Sequence, residues 1–312
     1  MRAAEPPTTT MLYYFRIAHG NFGDALNPWL WKQLCPEICE PRKDVLFLGI
    51  GTVISPHVPA APVKIVFGSG CSDRVPPVLD EKWRVFCVRG PLTAAKLNLG
   101  LNCALTDPAI LARRFCSAPV KKIHPVSLML HHQSVFEADW KTLAARAGFH
   151  FIDPRAGVEK ILAEIGQTGL LLTEAMHGAI VADALRVPWI PIRLYDRFME
   201  FKWRDWTQSM KLPLDVFDVP ALYERKLISK KGLTHAFKKT LAASGLGKDK
   251  WNKLRVQASD ERAINRTLEL LKKLAAEKTP QLSDEKHLES LEIRLLEKLS
   301  EIRHAWKNGK FF

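Results

Sequence analysis

Val63-Lys64-Ile65-Val66-Phe67-Gly68-Ser69-Gly70 is an apolar run that ends directly in glycines, and Val45-Leu46-Phe47-Leu48-Gly49-Ile50-Gly51 has the same form just upstream. A strand with one wet face alternates apolar and polar residues. These runs barely alternate, so both predict strands covered on two faces, hence a parallel sheet. Working outward, Leu12–Ile17 is a strand candidate, followed by a Gly-containing turn and a helix from about Asn27 to Leu34. Val85–Val88 is another strand, and Pro91 to Leu99 a helix with Pro in its first turn and Gly100 past its end. Beyond residues 113–122 the pattern restarts. Val126–Leu130, Phe149–Ile152, Leu170–Thr173 and Trp189–Ile192 read as strands. Asp139–Ala147, Val158–Ile165 and Ala179–Leu185 read as the helices between them. The alternation predicts an α/β protein with two doubly wound domains, 11–115 and 122–225, facing a cleft.

Residues 226–312 change character and predict a basic helical extension. Ile264, Leu268, Leu271 and Ala275 form one helical stripe; Leu288, Leu291, Leu295, Leu299 and Ile302 form another. Ser259 and Ser283 are placed to cap these helices, and Pro280 separates them. The stripes fit either packing on the chain's own domains or a bundle between copies, which leaves a homo-oligomer open.

The composition, 47% hydrophobic and 25% charged over 312 residues, excludes a disordered or fibrous chain. No uncharged apolar run reaches the roughly 18 residues of a membrane span. Residues 1–10 carry two prolines and three threonines but no apolar core, so they read as a flexible tail rather than a signal peptide, with the folded part starting at Met11. Without export the six cysteines are expected to be reduced thiols. Cys35 and Cys39, the only close pair, lack the partners of a zinc site, so no metal is expected.

The charge is uneven. Of 46 Lys+Arg and 33 Asp+Glu, twenty and eleven fall in residues 226–312, which hold +9 of the net +13. Lys226 to Ser259 has nine basic residues against Asp249 alone. Within Leu227–Leu241, Leu233, Phe237 and Leu241 recur every four positions among Lys230, Lys231, Lys238 and Lys239. Such a basic amphipathic helix suits an anionic bilayer surface, or packs on its own protein with the lysines solvated. No nucleic-acid recognition motif accompanies it, so nucleic acid is not an expected partner.

Candidate chemistry sits where strands end. Asn21-Phe22-Gly23-Asp24 follows the first strand; backbone N–H groups there suit an anion, while Asp24 suits a hydroxyl as base, or simply caps the helix. Gly68-Ser69-Gly70 would let a ligand's charged oxygens approach the backbone, although it is also an ordinary turn and no complete dinucleotide fingerprint. Arg89 could grip a carboxylate or phosphate, or pair with a neighbouring acid such as Asp107. His177, in Thr173-Glu174-Ala175-Met176-His177-Gly178, stands at a strand's end and combines proton transfer with a local anion-binding field. Glu174 would orient the imidazole or act on a hydroxyl itself. His131 and His132 occupy an equivalent edge. Tyr195, Phe198, Phe201, Trp203 and Trp206 lie beside Arg193, Arg197 and Lys202, where rings suit stacking on sugar faces or belong to the core.

In their order along the chain, Gly20-Asn21-Phe22-Gly23-Asp24, Gly68-Ser69-Gly70, Val88-Arg89-Gly90-Pro91-Leu92-Thr93, Thr106-Asp107-Pro108-Ala109 and Met176-His177-Gly178-Ala179 resemble the polysaccharide pyruvyl transferase family, most closely its exopolysaccharide ketal-pyruvate members. The resemblance covers about residues 11–195. It implies two Rossmann-like domains similar to GT-B glycosyltransferases. It also implies phosphoenolpyruvate as donor co-substrate with no further cofactor, and a sugar, often in a lipid-linked oligosaccharide, as acceptor. Arg89 and His177 match positions that bind the donor. Many members carry Arg two residues before the motif His, where this chain has Ala175; another cation, Arg193 or Lys202, is then needed for the phosphate. The implied chemistry has His177 protonating the donor's methylene carbon while Asp24 or Glu174 takes the proton of the attacking sugar hydroxyl. Such an enzyme is expected in the cytoplasm at the inner face of the plasma membrane, where the basic segment would hold it. A GT-B-type glycosyltransferase using a nucleotide sugar is the nearest rival, and a non-catalytic scaffold of a polysaccharide assembly complex the next.

Overall fold

The computed structural model describes residues 11–40, 44–116, 121–224 and 258–308. The basic segment Leu227–Leu241 and the tail 1–10 lie outside them. Two fully parallel sheets organise the chain, as the unbroken apolar runs require. The first has the order β1 (Leu12–Tyr13), β2 (Val45–Leu48), β3 (Val63–Phe67), β4 (Trp83–Cys87). Helix α1 (Phe22–Leu34) follows β1, and α2 (Pro91–Lys96) follows β4.

This order runs in sequence without reversal, so the first sheet is not doubly wound as expected. The connections 49–62 and 68–82 hold no helix, and one face is covered instead by elements distant in sequence. The first strand is also shorter than its hydrophobicity suggests, because only Leu12 and Tyr13 find partners, in Phe47 and Leu48.

The second sheet has the order β6 (His150–Phe151), β5 (His124–Met129), β7 (Thr168–Thr173), β8 (Trp189–Arg193), β9 (Phe217–Asp218). This is a doubly wound order, with its reversal between β5 and β7, the position at which open α/β sheets hold ligands. Helices α3 (Trp140–Arg146), α4 (Val158–Gly166), α5 (Met176–Ala184) and α6 (Glu200–Ser209) fill the crossovers.

The two C-terminal helices, α7 (Glu261–Glu277) and α8 (Glu285–Lys307), divide between the sheets. In α7, Leu268, Leu271 and Leu274 join the core on the outer face of the second sheet, with Leu128, Leu172 and Ile190. The α8 stripe joins a different core, which runs from Met11, Phe22 and Phe67 through Ile110 to Ile180 and Trp189. That core lies between the two sheets and welds them, so the space between them is packed except where strands end. Arg113–Glu285 and Arg114–Glu292, each at 2.8 Å, fasten α8 over the 3-10 segment Pro108–Phe115. Both stripes are therefore spent inside the chain, and neither supports a bundle between copies. The caps are also shifted by one residue from expectation. Asp260 accepts from Ala263 N and Asp284 from His287 N, because carboxylates satisfy a helix N-terminus at least as well as serine. Ser259 and Ser283 instead bond Tyr223 and Asp183.

Candidate active site

Helix α1 starts at Phe22, five residues before the apolar periodicity suggests, because its first N–H donates to Pro154 O (2.9 Å) from the second half of the chain. Asn21 therefore takes the cap position, and Asp24 falls in the first turn. Asn21 Nδ2 donates to Asp24 Oδ2 at 2.7 Å. Asn27, which carried no signal of its own, clips the helix to the loop after β2. Its amide exchanges both hydrogen bonds with Ile50, as a strand neighbour would (2.9 and 3.0 Å).

Helix α5 likewise begins at Met176, which puts His177 in its first turn, beside the reversal of the second sheet. A Cβ on Gly23 would come within 2.1 Å of His177 Nδ1. Gly23 is thus needed for the imidazole to lie on α1, rather than for ligand approach alone. The other ring nitrogen, Nε2, faces Asp107 Oδ2 at 3.5 Å. Among the described residues neither atom has a hydrogen-bond partner, and both are buried. Oδ1 of Asp107 caps the following 3-10 segment through Ala109 N (3.0 Å). Asp107 therefore orients His177 and does not pair with Arg89. Gly23→Ala is expected to abolish activity while leaving thermal stability near wild type, since alanine favours the helix but its methyl displaces the ring. Enzyme assay and circular dichroism on the same preparation check it.

Burial raises the Asp24 carboxyl to about 6, against the pull of Asn21, His177 and Lys202. Lys202, on α6, faces the same point. Burial and the neighbouring Arg89 lower its ammonium to about 8, while Asp24 and Glu174 act in the opposite sense. Among the described residues no carboxylate lies within ion-pair distance of Lys202. A half-buried ammonium without an ion-pair partner is placed to meet an arriving anion.

The remaining expected ligands are placed differently. Arg89 is fully buried. Its guanidinium bonds Asp205 Oδ2 (3.0 Å), Thr52 Oγ1 (2.8 Å) and Cys71 O (3.3 Å). Asp205 in turn accepts from Thr93 N (2.9 Å) and Thr93 Oγ1 (2.6 Å). The Arg89–Thr93 motif is thus a socket for α6, three residues along from Lys202, and Arg89 does not reach the cleft. Gly68-Ser69-Gly70 cradles no ligand either. Gly68 has φ +76° and abuts Pro108, and Gly70 lies against the Arg89 guanidinium. The Gly68 and Gly70 N–H groups donate to Cys87 O and Gly51 O, and Ser69 Oγ to the carbonyls of Leu48 and Gly49. Arg193 is half exposed and held by Asp218 through two bonds (2.5 and 2.9 Å).

Among the described residues Glu174 makes no hydrogen bond to the imidazole. Its oxygens accept from the backbone N–H groups of His131, Leu194 and Tyr195 (3.1–3.3 Å), tying together the loops after β5, β7 and β8. Among the aromatics, Trp203 and Trp206 are fully buried, and Tyr195 OH bonds Leu222 O. They form core rather than sugar platforms. His131 and His132 pack together after β5, and His19, which carries no signal in the sequence, stacks on His132. Burial lowers His131 strongly and His132 to about 4. Among the described residues no cluster of three His, Cys, Asp or Glu could hold a metal ion. All six cysteines are free thiols.

Residues 20–194, more than half the chain, match the family described as polysaccharide pyruvyl transferase. The succinoglycan biosynthesis protein ExoV of Rhizobium meliloti (strain 1021) is 39% identical over 202 residues. That match spans 64% of each protein, so the chain covers just under two thirds of this relative's length. No solved structure matches the chain.

Proposed function

The chain belongs to the polysaccharide pyruvyl transferase family, and from that premise we propose that it transfers pyruvate from phosphoenolpyruvate to two hydroxyls of one sugar in a lipid-linked exopolysaccharide repeat unit. The observation that carries the reading is the His177 ring lying on the first turn of α1, which carries Asp24, with Lys202 of α6 near enough for its charge to act on the Asp24 carboxyl. Three tasks need three groups there. Lys202 and the first turn of α1 hold the donor's negative oxygens. His177, steadied by Asp107, gives a proton to the methylene carbon, and C2 becomes electrophilic. Asp24 takes the proton of the first sugar hydroxyl as its oxygen bonds C2. In the second stage the C2–O bond to phosphate breaks, phosphate leaves with that electron pair, and a second hydroxyl of the same sugar bonds C2 and loses its proton. The balance is one donor and one diol in, one cyclic ketal and one phosphate out.

The arrangement of two parallel sheets about this point suits two Rossmann-like units of GT-B type, 11–115 and 122–225, with α7 and α8 as the extension. No helix among the described residues is long and apolar enough to cross a membrane. Delivery to an anionic membrane face by the segment around Leu227–Leu241 is part of the same proposal.

The test is direct. The purified chain, phosphoenolpyruvate and a lipid-linked oligosaccharide should release phosphate only when all three are present, and mass spectrometry should find a pyruvate ketal on the sugar. His177→Ala should lose both. Thermal stabilisation by nucleotide sugars but not by phosphoenolpyruvate would overturn the proposal in favour of glycosyl transfer.

A further inference from the structure

Away from Lys202, rings from both halves of the chain close on one another along the cleft. His19 leaves the turn between β1 and α1 and stacks on His132, with centroids 5.1 Å apart and Nε2 2.9 Å from Nδ1 of His132. Phe136 meets His19 edge-on at 5.0 Å. Arg155 lies 4.9 Å over Phe136 while both arms of its guanidinium bond Asp153. His131 packs on His132 at 4.3 Å, which carries the row back toward Lys202. Two of these rings stay open to water: His19 is exposed and Phe136 is 40% exposed.

Resting on the pyruvyl-transfer reading, we propose that this row is the acceptor subsite and that it takes the ring of a neutral sugar, stacked on Phe136 with its edge against His19 and its hydroxyls on the imidazole nitrogens that the His19–His132 bond leaves over. Position favours it. His19 belongs to the same turn as Asn21 and Asp24, so a sugar against the wall presents its hydroxyls to the base. Chemistry favours it too. A neutral imidazole carries one donor and one acceptor, the complement of a hydroxyl. Burial lowers the proton affinity of His131 and His132, and partial desolvation with the nearby Arg155 lowers that of His19, so all three favour the neutral form.

The experiment is saturation-transfer NMR on the full chain without donor. The probes are neutral gluco-, galacto- and manno-oligosaccharides, with a glucuronate-terminated oligosaccharide as the charged comparator. At least one neutral probe should bind and the acidic one should not. Phe136→Ala and His19→Ala should each weaken binding by about tenfold, the scale of one aromatic stacking contact. Phe136→Tyr should restore it, and stabilisation by phosphoenolpyruvate should not change in any variant. Both replaced residues are surface groups, so unchanged melting temperatures are expected as the control. Binding of no neutral probe, preference for the acidic one, or full binding by Phe136→Ala would overturn the subsite. Phosphate release judges the transfer reading separately.

Discussion

Lys202→Met is expected to lower kcat/KM for phosphoenolpyruvate roughly 10²–10³-fold, the scale of losing one preorganised electrostatic contact in a water-poor site. The side chains match in length and the methionine is uncharged, so folding should survive; a half-buried ammonium without an ion-pair partner among the described residues adds little to stability. The pH profile gives the sharper readout. In the wild-type chain, kcat/KM should rise with pH as the Asp24 carboxyl loses its proton near about 6, and fall as the Lys202 ammonium loses its own near about 8. Lys202→Arg should remove the alkaline limb, because a guanidinium stays charged throughout that range. Lys202→Met should move the acidic limb upward, since the ammonium is one of the groups holding the Asp24 proton affinity down. An alkaline limb unchanged in Lys202→Arg would show that another group sets it.

Arg89→Met is expected to cost about 3–5 kcal/mol of stability, because it leaves the Asp205 carboxylate buried without its cation. Asp205→Asn should cost a similar amount, although its amide oxygen can still accept from Thr93. Combining the two removes both charges and should recover much of the loss, so their interaction energy is large and favourable. Denaturant unfolding with an unchanged slope, read at its midpoint, measures all three variants. A donor-binding arginine would behave in the opposite way, with Arg89→Met as stable as wild type and defective only in KM. That outcome would return Arg89 to the cleft. In the present geometry, donor affinity suffers in these variants only as α6 loosens and Lys202 with it.

The elements and motifs were largely legible because their signals are local. Unbroken apolar runs announced buried strands, and helices such as Val158–Gly166 fell where their periodicity put them. His177 and Asp24 could be picked out because each stands at a strand's carboxyl end, a position readable from order alone. The partners of those residues could not. The sequence offers Asp107 to Arg89 as one alternative, but in the fold Asp107 faces His177, while Arg89 bonds Asp205, 116 positions away. His19 gave no signal because its significance lies in a ring 113 residues on. Glu174 misled for the same reason, since its partners are backbone amides that any residue type could supply.

By itself the sequence determined the α/β class, the parallel strands, the family and the ordered set of motifs, because covalent order and hydrophobic period act over a few residues. Only the tertiary structure decided which motif residues gather beside the reversal of the second sheet and which hold the scaffold. Burial and pairing settle that choice, and both depend on what a distant segment brings. Glycines that promised room for a ligand instead make room for Arg89, His177 and Pro108. Of the two cations the sequence offers, Lys202 is singled out because Arg193 has a carboxylate partner and Lys202, among the described residues, has none.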